Sequence, residues 1–339
     1  MKVLITGGAG FVGSQLGKHL HRRGDEVVLL DNMRFGHLDN LLLEGSPFGR
    51  FVCKDVRDGD LVALFEGVDT LFHLAGIAAL PVCQEAPAEA YDVNTAAVAN
   101  VLEAARRADV RRIVFSSTSA VYEKTKSERF AESDPIAPDL VYASSKAAAE
   151  SVCDAFARNY GLDIVICRFF NVYGPHQDVT RTSPPFTSYV ARELVMDRAP
   201  TLFNDSSARR DYVHSDDVVD LLTRMIEAEG EFRAERYNVC SGQGHSVPEL
   251  YGHFLAASGK SIEPVFRDPS LYWEAYPALF GSAHPLSRER IVEEVYKNAI
   301  GDPAKTRARF GWNPATEIGA GIASVYADAR RRLCGAGPA

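Results

Sequence analysis

The sequence predicts an α/β fold, a doubly wound parallel sheet with a smaller, mostly C-terminal domain beside it. Three observations predict it. Strand-like and helix-like segments alternate over the first half. A glycine cluster stands between the first strand and the first helix. Beyond Asn171 the alternation fades and proline and glycine become frequent. Strands separated by helices pair in parallel through right-handed crossovers, which gives the doubly wound arrangement.

Taken in order, 3–6 is a short apolar run ending in glycines, hence a strand, and 10–23 has helical spacing. Segment 26–30 is β-branched and apolar, and 50–53 is short and strand-like. Segment 61–65 reads as helix and 70–74 as strand. The alanine-rich stretch 87–108 has apolar residues at helical intervals. Strand 112–116, a long helix over 142–160 and strand 163–169 complete the first unit. Segments 180–185 and 204–210 read as loops, and 335–339 as a frayed tail. The expected division is 1–170 for the first domain, with 211–228 returning to it, and 171–210 plus 229–332 for the second.

Of the 339 residues, 46% are apolar and 24% charged, which is the balance of a soluble globular protein. No apolar run approaches the roughly 20 residues of a membrane span, and the N-terminus is too short in its apolar part for a signal peptide. A net charge of -8 speaks against nucleic acid as a partner. The six cysteines form no C-x-x-C pair, so reduced thiols in a cytoplasmic protein are expected, without a zinc site.

Gly7, Gly8, Gly10 and Gly13 follow the first strand and open the first helix. Such glycines allow a tight turn, and the helix N-terminus then presents amide donors and a positive dipole to a pyrophosphate. Phe11 and Val12 lie on the same turn. The second strand ends at Asp31, followed by Asn32, where a carboxylate accepts hydrogen bonds from an adenosine ribose. This is the Rossmann arrangement for a dinucleotide. Asp31 would repel a 2′-phosphate, so NAD is preferred over NADP. Asp55–Asp58, at the end of the third strand, reads from its residues alone as a solvated turn.

Tyr142 and Lys146 are four residues apart and share a helix face. A nearby ammonium favours phenolate, making Tyr142 a candidate base for a sugar hydroxyl. The hydroxyl cluster Ser116-Ser117-Thr118-Ser119 follows the strand at 112–116, at the sheet's carboxyl edge where ligands bind. His73 and His214 read as structural, and no cluster has metal-ligand spacing.

These motifs, with Arg168-Phe169-Phe170-Asn171-Val172-Tyr173-Gly174-Pro175 and Arg209-Arg210-Asp211-Tyr212-Val213-His214, resemble the extended short-chain dehydrogenase/reductases. Within them the chain is similar to the NAD-dependent nucleotide-sugar epimerases and dehydratases, of the UDP-glucose/UDP-glucuronate 4-epimerase kind. The resemblance runs from Met1 to about Ala329. It implies Thr118, Tyr142 and Lys146 as the catalytic set, with Lys146 holding the nicotinamide ribose. It places Asp55 and Val56 at the adenine, and Leu74, Ala75 and Gly76 along the cofactor, with Asn94 near the active site. Thr118, Ser119, Asn171 and Arg210 would meet the substrate, the last two at its diphosphate. It also implies a homodimer paired through the helices at 87–108 and 142–160.

The residues after Thr118 bear on the reaction. Dehydratases of the family typically read Thr-Asp-Glu there, and related decarboxylases Thr-Ser-Glu, whereas this chain reads Thr118-Ser119-Ala120. Ala120 moves no proton, so 4-epimerisation of a nucleotide-diphosphate sugar through a 4-keto intermediate is expected. Dehydration, decarboxylation, net redox chemistry, or a non-catalytic NAD-binding sensor are the alternatives. Two departures stand out. Glu123 occupies a position usually held by glycine. A long aromatic stretch, 267–301, replaces a short arginine-bearing segment. That stretch reads either as a satellite core or as a reshaped substrate pocket, with Arg288 or Arg290 supplying the replaced arginine.

Overall fold

Apolar residues in the first-half strands occupy consecutive positions, which suits strands buried on both faces. The computed structural model describes residues 1–205 and 208–335, and shows that burial. Residues 206–207 of the expected loop 204–210 and 336–339 of the expected tail 335–339 lie outside the described residues, and 209–210 begin a strand instead. Seven strands form the central sheet in the spatial order Glu235–Val239, Ile164–Phe169, Arg112–Thr118, Thr70–His73, Lys2–Thr6, Glu26–Asp31, Arg50–Cys53. All its pairings are parallel. Chain order reverses between Lys2–Thr6 and Thr70–His73, and a crevice opens at the carboxyl ends there.

Alternation along each strand feeds two cores. Val3 and Ile5 face helices Phe11–Arg22 and Ser215–Glu227, whereas Leu4 faces helices Ala97–Arg107 and Val141–Tyr160. The return of 211–228 is therefore carried by its helix, while strand Arg209–His214 pairs elsewhere. That strand lies between Asn171–Tyr173 and Gly244–Ser246 in a small three-stranded sheet. Helices Phe186–Val195, Val247–Ser258 and Ile318–Cys334 pack together as a third core, that of the smaller domain.

Four expectations need correction. Strand Glu235–Val239 belongs to the central sheet, so 229–332 is not one block. Tyr237 and Val239 complete the same core as Val3, and Phe310 and Trp312 dock there too. The helix expected over 87–108 is interrupted, reading Pro87–Tyr91, a π-helical turn Asp92–Ala96, and Ala97–Arg107. The wider turn aims Asn94 inward, where it bonds the Ile77 backbone and Ser145. A helix not foreseen, Leu80–Glu85, follows the fourth sheet strand. Finally, alanines of the two helices implied for dimer pairing, among them Ala104, Ala105 and Ala149, pack against the protein's own sheet, so these faces are not the ones left for a partner. No helix among the described residues is long and apolar enough to cross a membrane.

Candidate active site

A cavity of about 870 Å³ runs along the carboxyl edge of the sheet and into the second domain. At its first end, Gly10 caps helix Phe11–Arg22 without a side-chain hydrogen bond. The first amides of that helix therefore face the cavity mouth, lined by Gly7, Gly10, Phe11 and Val12. Gly7 has φ of +72°, and a Cβ there would lie 2.9 Å from the Ala75 amide nitrogen. A Cβ on Gly13 would lie 2.2 Å from the Gly7 carbonyl oxygen. Only glycine permits this approach of helix to strand.

Asp31 accepts from the amides of Ala9 (3.1 Å) and Met33 (2.8 Å). Burial raises its pKa and those two amides oppose the rise. Asp55 takes a bidentate contact from Arg57, and Asn32 Nδ2 donates to it at 2.8 Å. The Arg57 guanidinium holds that carboxyl well below the usual range. Asn32, Asp55 and Val56 all line the cavity, as do Leu74, Ala75 and Gly76. The turn at Asp55 is therefore a wall of the site. Amides at a helix N-terminus, a glycine cradle and a buried carboxylate at the second strand's end fit a dinucleotide.

Strand Arg112–Thr118 delivers Thr118 and helix Val141–Tyr160 delivers Tyr142 to the middle of the cavity, with Ser119 beside them. Thr118 Oγ1 accepts from the Ala120 amide at 3.1 Å, and its side chain hydrogen-bonds the Tyr142 phenol. Burial pushes Tyr142 up to about 12, and the Thr118 bond only moderates this. Burial lowers Lys146 to about 8. The expected acidification of the phenol by Lys146 is not seen: burial dominates at both groups, and the lowering influence on Tyr142 comes from Thr118. Lys146 Nζ stands 4.7 Å from the Phe115 ring centroid. It and Asn94 sit directly behind Gly76, where a Cβ would lie 3.8 Å and 3.0 Å from their polar atoms. Asn94 is committed to the Ile77 backbone, which makes it a buttress of the cofactor wall.

At the far end, Asn171 lines the cavity and its Nδ2 donates to the Asp211 carbonyl at 2.8 Å. Arg210 faces the cavity and pairs with Glu294 at 3.4 Å. Neither Arg288 nor Arg290, expected at the substrate, lines the cavity. Arg288 is exposed, donates to the Ser270 carbonyl at 2.8 Å and lies over the Phe280 ring. Arg290 is buried among Glu123, Asp139 and Glu294. The cavity cations that sequence reasoning missed are Arg181, Arg267 and Lys297 at this end and Arg34 and Lys54 at the other. Lys297 stands 3.7 Å from Glu294, and Arg181 Nε donates to the Ser183 carbonyl at 2.8 Å.

The aromatic stretch is both packed and cavity-lining. Trp273, Tyr276 and Leu279 form a satellite core with Leu140 and Ile291, while Tyr272 and Trp273 also line the cavity. His73 is fully buried with Nδ1 2.7 Å from Thr6 Oγ1, and burial lowers it to about 3, so it stays neutral. His214 caps helix Ser215–Glu227 through the Asp216 amide. No group of metal-holding side chains occurs among the described residues.

Comparison with known proteins agrees with this geometry. The chain is 32% identical to a UDP-glucose 4-epimerase of Mycolicibacterium smegmatis, over 96% of this chain and 97% of that one. The UDP-glucose 4-epimerase of Thermotoga maritima, solved with UDP-glucose, superposes with a TM-score of 0.85 at 27% identity, covering 98% of this chain and 100% of that one. The Thermus thermophilus UDP-glucose 4-epimerase, solved with NAD, gives a TM-score of 0.81 at 31% identity, covering 97% and 99%. Residues 3–240 match the family described as NAD dependent epimerase/dehydratase. With that match over more than half of its length and a 32% identical relative covered almost end to end, this chain belongs to the NAD-dependent epimerase/dehydratase family.

Proposed function

We propose that the protein epimerises a nucleoside-diphosphate sugar at C4 through a transient 4-keto sugar. The observation that carries this reading is the middle of the cavity. Thr118, Ser119 and Tyr142 offer hydroxyls there, and Ala120 stands where elimination needs a carboxylate. The nearby Glu123 is turned to the backbone of Asp139 and Leu140, and Glu150 is buried against Arg168. Bound NAD supplies a hydride acceptor and donor at C4. As the phenolate, which the positive charges of a bound nicotinamide ring and of Lys146 would favour, Tyr142 takes the C4 hydroxyl proton and returns it, and Thr118 orients that hydroxyl. Lys146 holds the nicotinamide ribose, and Asn171, Arg210 and Lys297 hold the diphosphate. The sugar must present either face of C4 to the nicotinamide, so it turns over within the cavity beside Thr118 and Tyr142 between the two hydride transfers.

Incubation with UDP-glucose, UDP-galactose and their acetamido and uronate counterparts, followed by proton NMR, tests this. A C4 epimer is expected for at least one, without net NADH. A dehydrated or decarboxylated product would overturn it. Tyr142→Phe should lower the rate by about 10²- to 10⁴-fold while bound NAD is retained. We also propose a homodimer through the exposed sides of helices Ala97–Arg107 and Val141–Tyr160, where Tyr160 is exposed. A monomeric mass by light scattering would reject it.

A further inference from the structure

The two places where the chain departs from its family pattern touch each other. Glu123 Oε2 accepts from the amides of Asp139 (2.9 Å) and Leu140 (2.8 Å). Leu140 is the cap residue of helix Val141–Tyr160, so this carboxylate fixes the backbone two residues before Tyr142. Its other oxygen lies 2.8 Å from Arg290 Nη2, in the aromatic insert. Arg290 Nε donates to Asp139 Oδ2 at 2.5 Å, gripping the same turn from outside. Both partners of the Glu123–Arg290 pair are shielded, at 1% and 11% side-chain exposure, so the contact escapes the screening that weakens surface pairs.

The insert grips the helix start by packing as well. Leu140 lies in one apolar cluster with Trp273, Tyr276, Leu279 and Ile291. The pair also reaches the substrate end. Arg290 is 3.6 Å from Glu294, and Glu294 is shared with Arg210 and Lys297, which face the cavity. A continuous set of charged contacts therefore runs from the anion-holding cations to the turn that sets the position of Tyr142.

We infer that Glu123 and Arg290 are positioning residues for Tyr142, coupling the insert and its substrate-end cations to the start of the helix that carries the base. The insert is then more than a substrate wall. Without Arg290, the Asp139–Leu140 turn loses its outer clamp, and the phenol loses its register against Thr118. Displacement of a reacting group by about 1 Å costs up to about 100-fold in rate. This inference rests on the reading of Tyr142 as the base.

The test uses the holoenzyme and the epimerisation assay, with Glu123→Gln, Arg290→Gln, the double variant and Arg290→Lys. Gln at 123 still accepts from the Leu140 amide and loses only the charged link. Each single Gln variant is expected to lower kcat about tenfold or more with KM within about twofold. The double variant should be no slower than the slower single one, because both remove the same contact. Arg290→Lys keeps the charge and the fold with one donor group, so its kcat should fall between wild type and Arg290→Gln. Wild-type kcat in Arg290→Gln or Arg290→Lys, a rise in KM alone, or losses that multiply in the double variant would overturn the inference. Tyr142→Phe separates the two failures. If it is inactive while Arg290→Gln is normal, only the positioning role fails; if it is fully active, the base assignment fails with it.

Discussion

Lys146→Met should make the folded protein more stable at neutral pH while abolishing its chemistry. Lys146 is 4% exposed, and burial lowers its ammonium from the ordinary 10.5 to about 8. That displacement corresponds to about 3 kcal/mol of disfavoured charge in the folded state. Methionine keeps the apolar stem and removes the charge. It also forfeits the contact with the Phe115 ring, worth about 0.5–2 kcal/mol. A net gain of about 1–3 kcal/mol at pH 7 is expected from these two magnitudes. The gain carries a pH signature. Between pH 8 and 10.5 the unfolded lysine holds a proton that the folded one has released, so wild-type stability rises with pH across that window. Methionine has nothing to titrate, so the advantage of the variant is full below pH 8 and gone above 10.5. Urea unfolding of both proteins, freed of dinucleotide and followed by tryptophan fluorescence at pH 7 and pH 10, measures it. A variant less stable than wild type at pH 7, or a difference that does not shrink by pH 10, would refute the reasoning.

Arg210→Met should raise KM by about tenfold or more, since a charge-assisted bond is worth about 1.5–3 kcal/mol. Arg288→Met should leave steady-state constants within about twofold, because Arg288 spends its contacts on Ser270 and Phe280 outside the cavity. Arg168→Met leaves Glu150, 2% exposed, without its bidentate partner. Urea unfolding should show a loss of about 3–5 kcal/mol. Asp31→Asn removes the carboxylate that stands against a 2′-phosphate, and NADPH should then bind at least about tenfold better relative to NADH by fluorescence titration, one decade being about 1.4 kcal/mol.

Much of the site was legible because its signals are local. The glycines at 7, 10 and 13, the acid at the second strand's end and the four-residue interval from Tyr142 to Lys146 each act within one turn or one helix face. Their meaning follows from backbone geometry and 3.6-residue periodicity. The π-helical turn at Asp92–Ala96 was hidden, since an inserted helical residue has no compositional mark. Strand Glu235–Val239 was missed because it is short and follows a helix that already faces the sheet.

Alone, the amino-acid order determined the doubly wound sheet and the dinucleotide crevice, and it singled out Thr118, Tyr142 and Lys146 as the proposed catalytic set. Tertiary structure decided which cations reach the cavity and which are spent on carboxylates. Arg290 looked as available as Arg210, yet it meets Asp139, 151 residues away, and disappears into an ion-paired knot. The physical reason is that a charged side chain's role depends on its partners, and partners distant in sequence are chosen only when the chain has closed upon itself. The direction of the Tyr142 and Lys146 shifts has the same origin: spacing predicts their proximity, but only burial sets the energy of their charges.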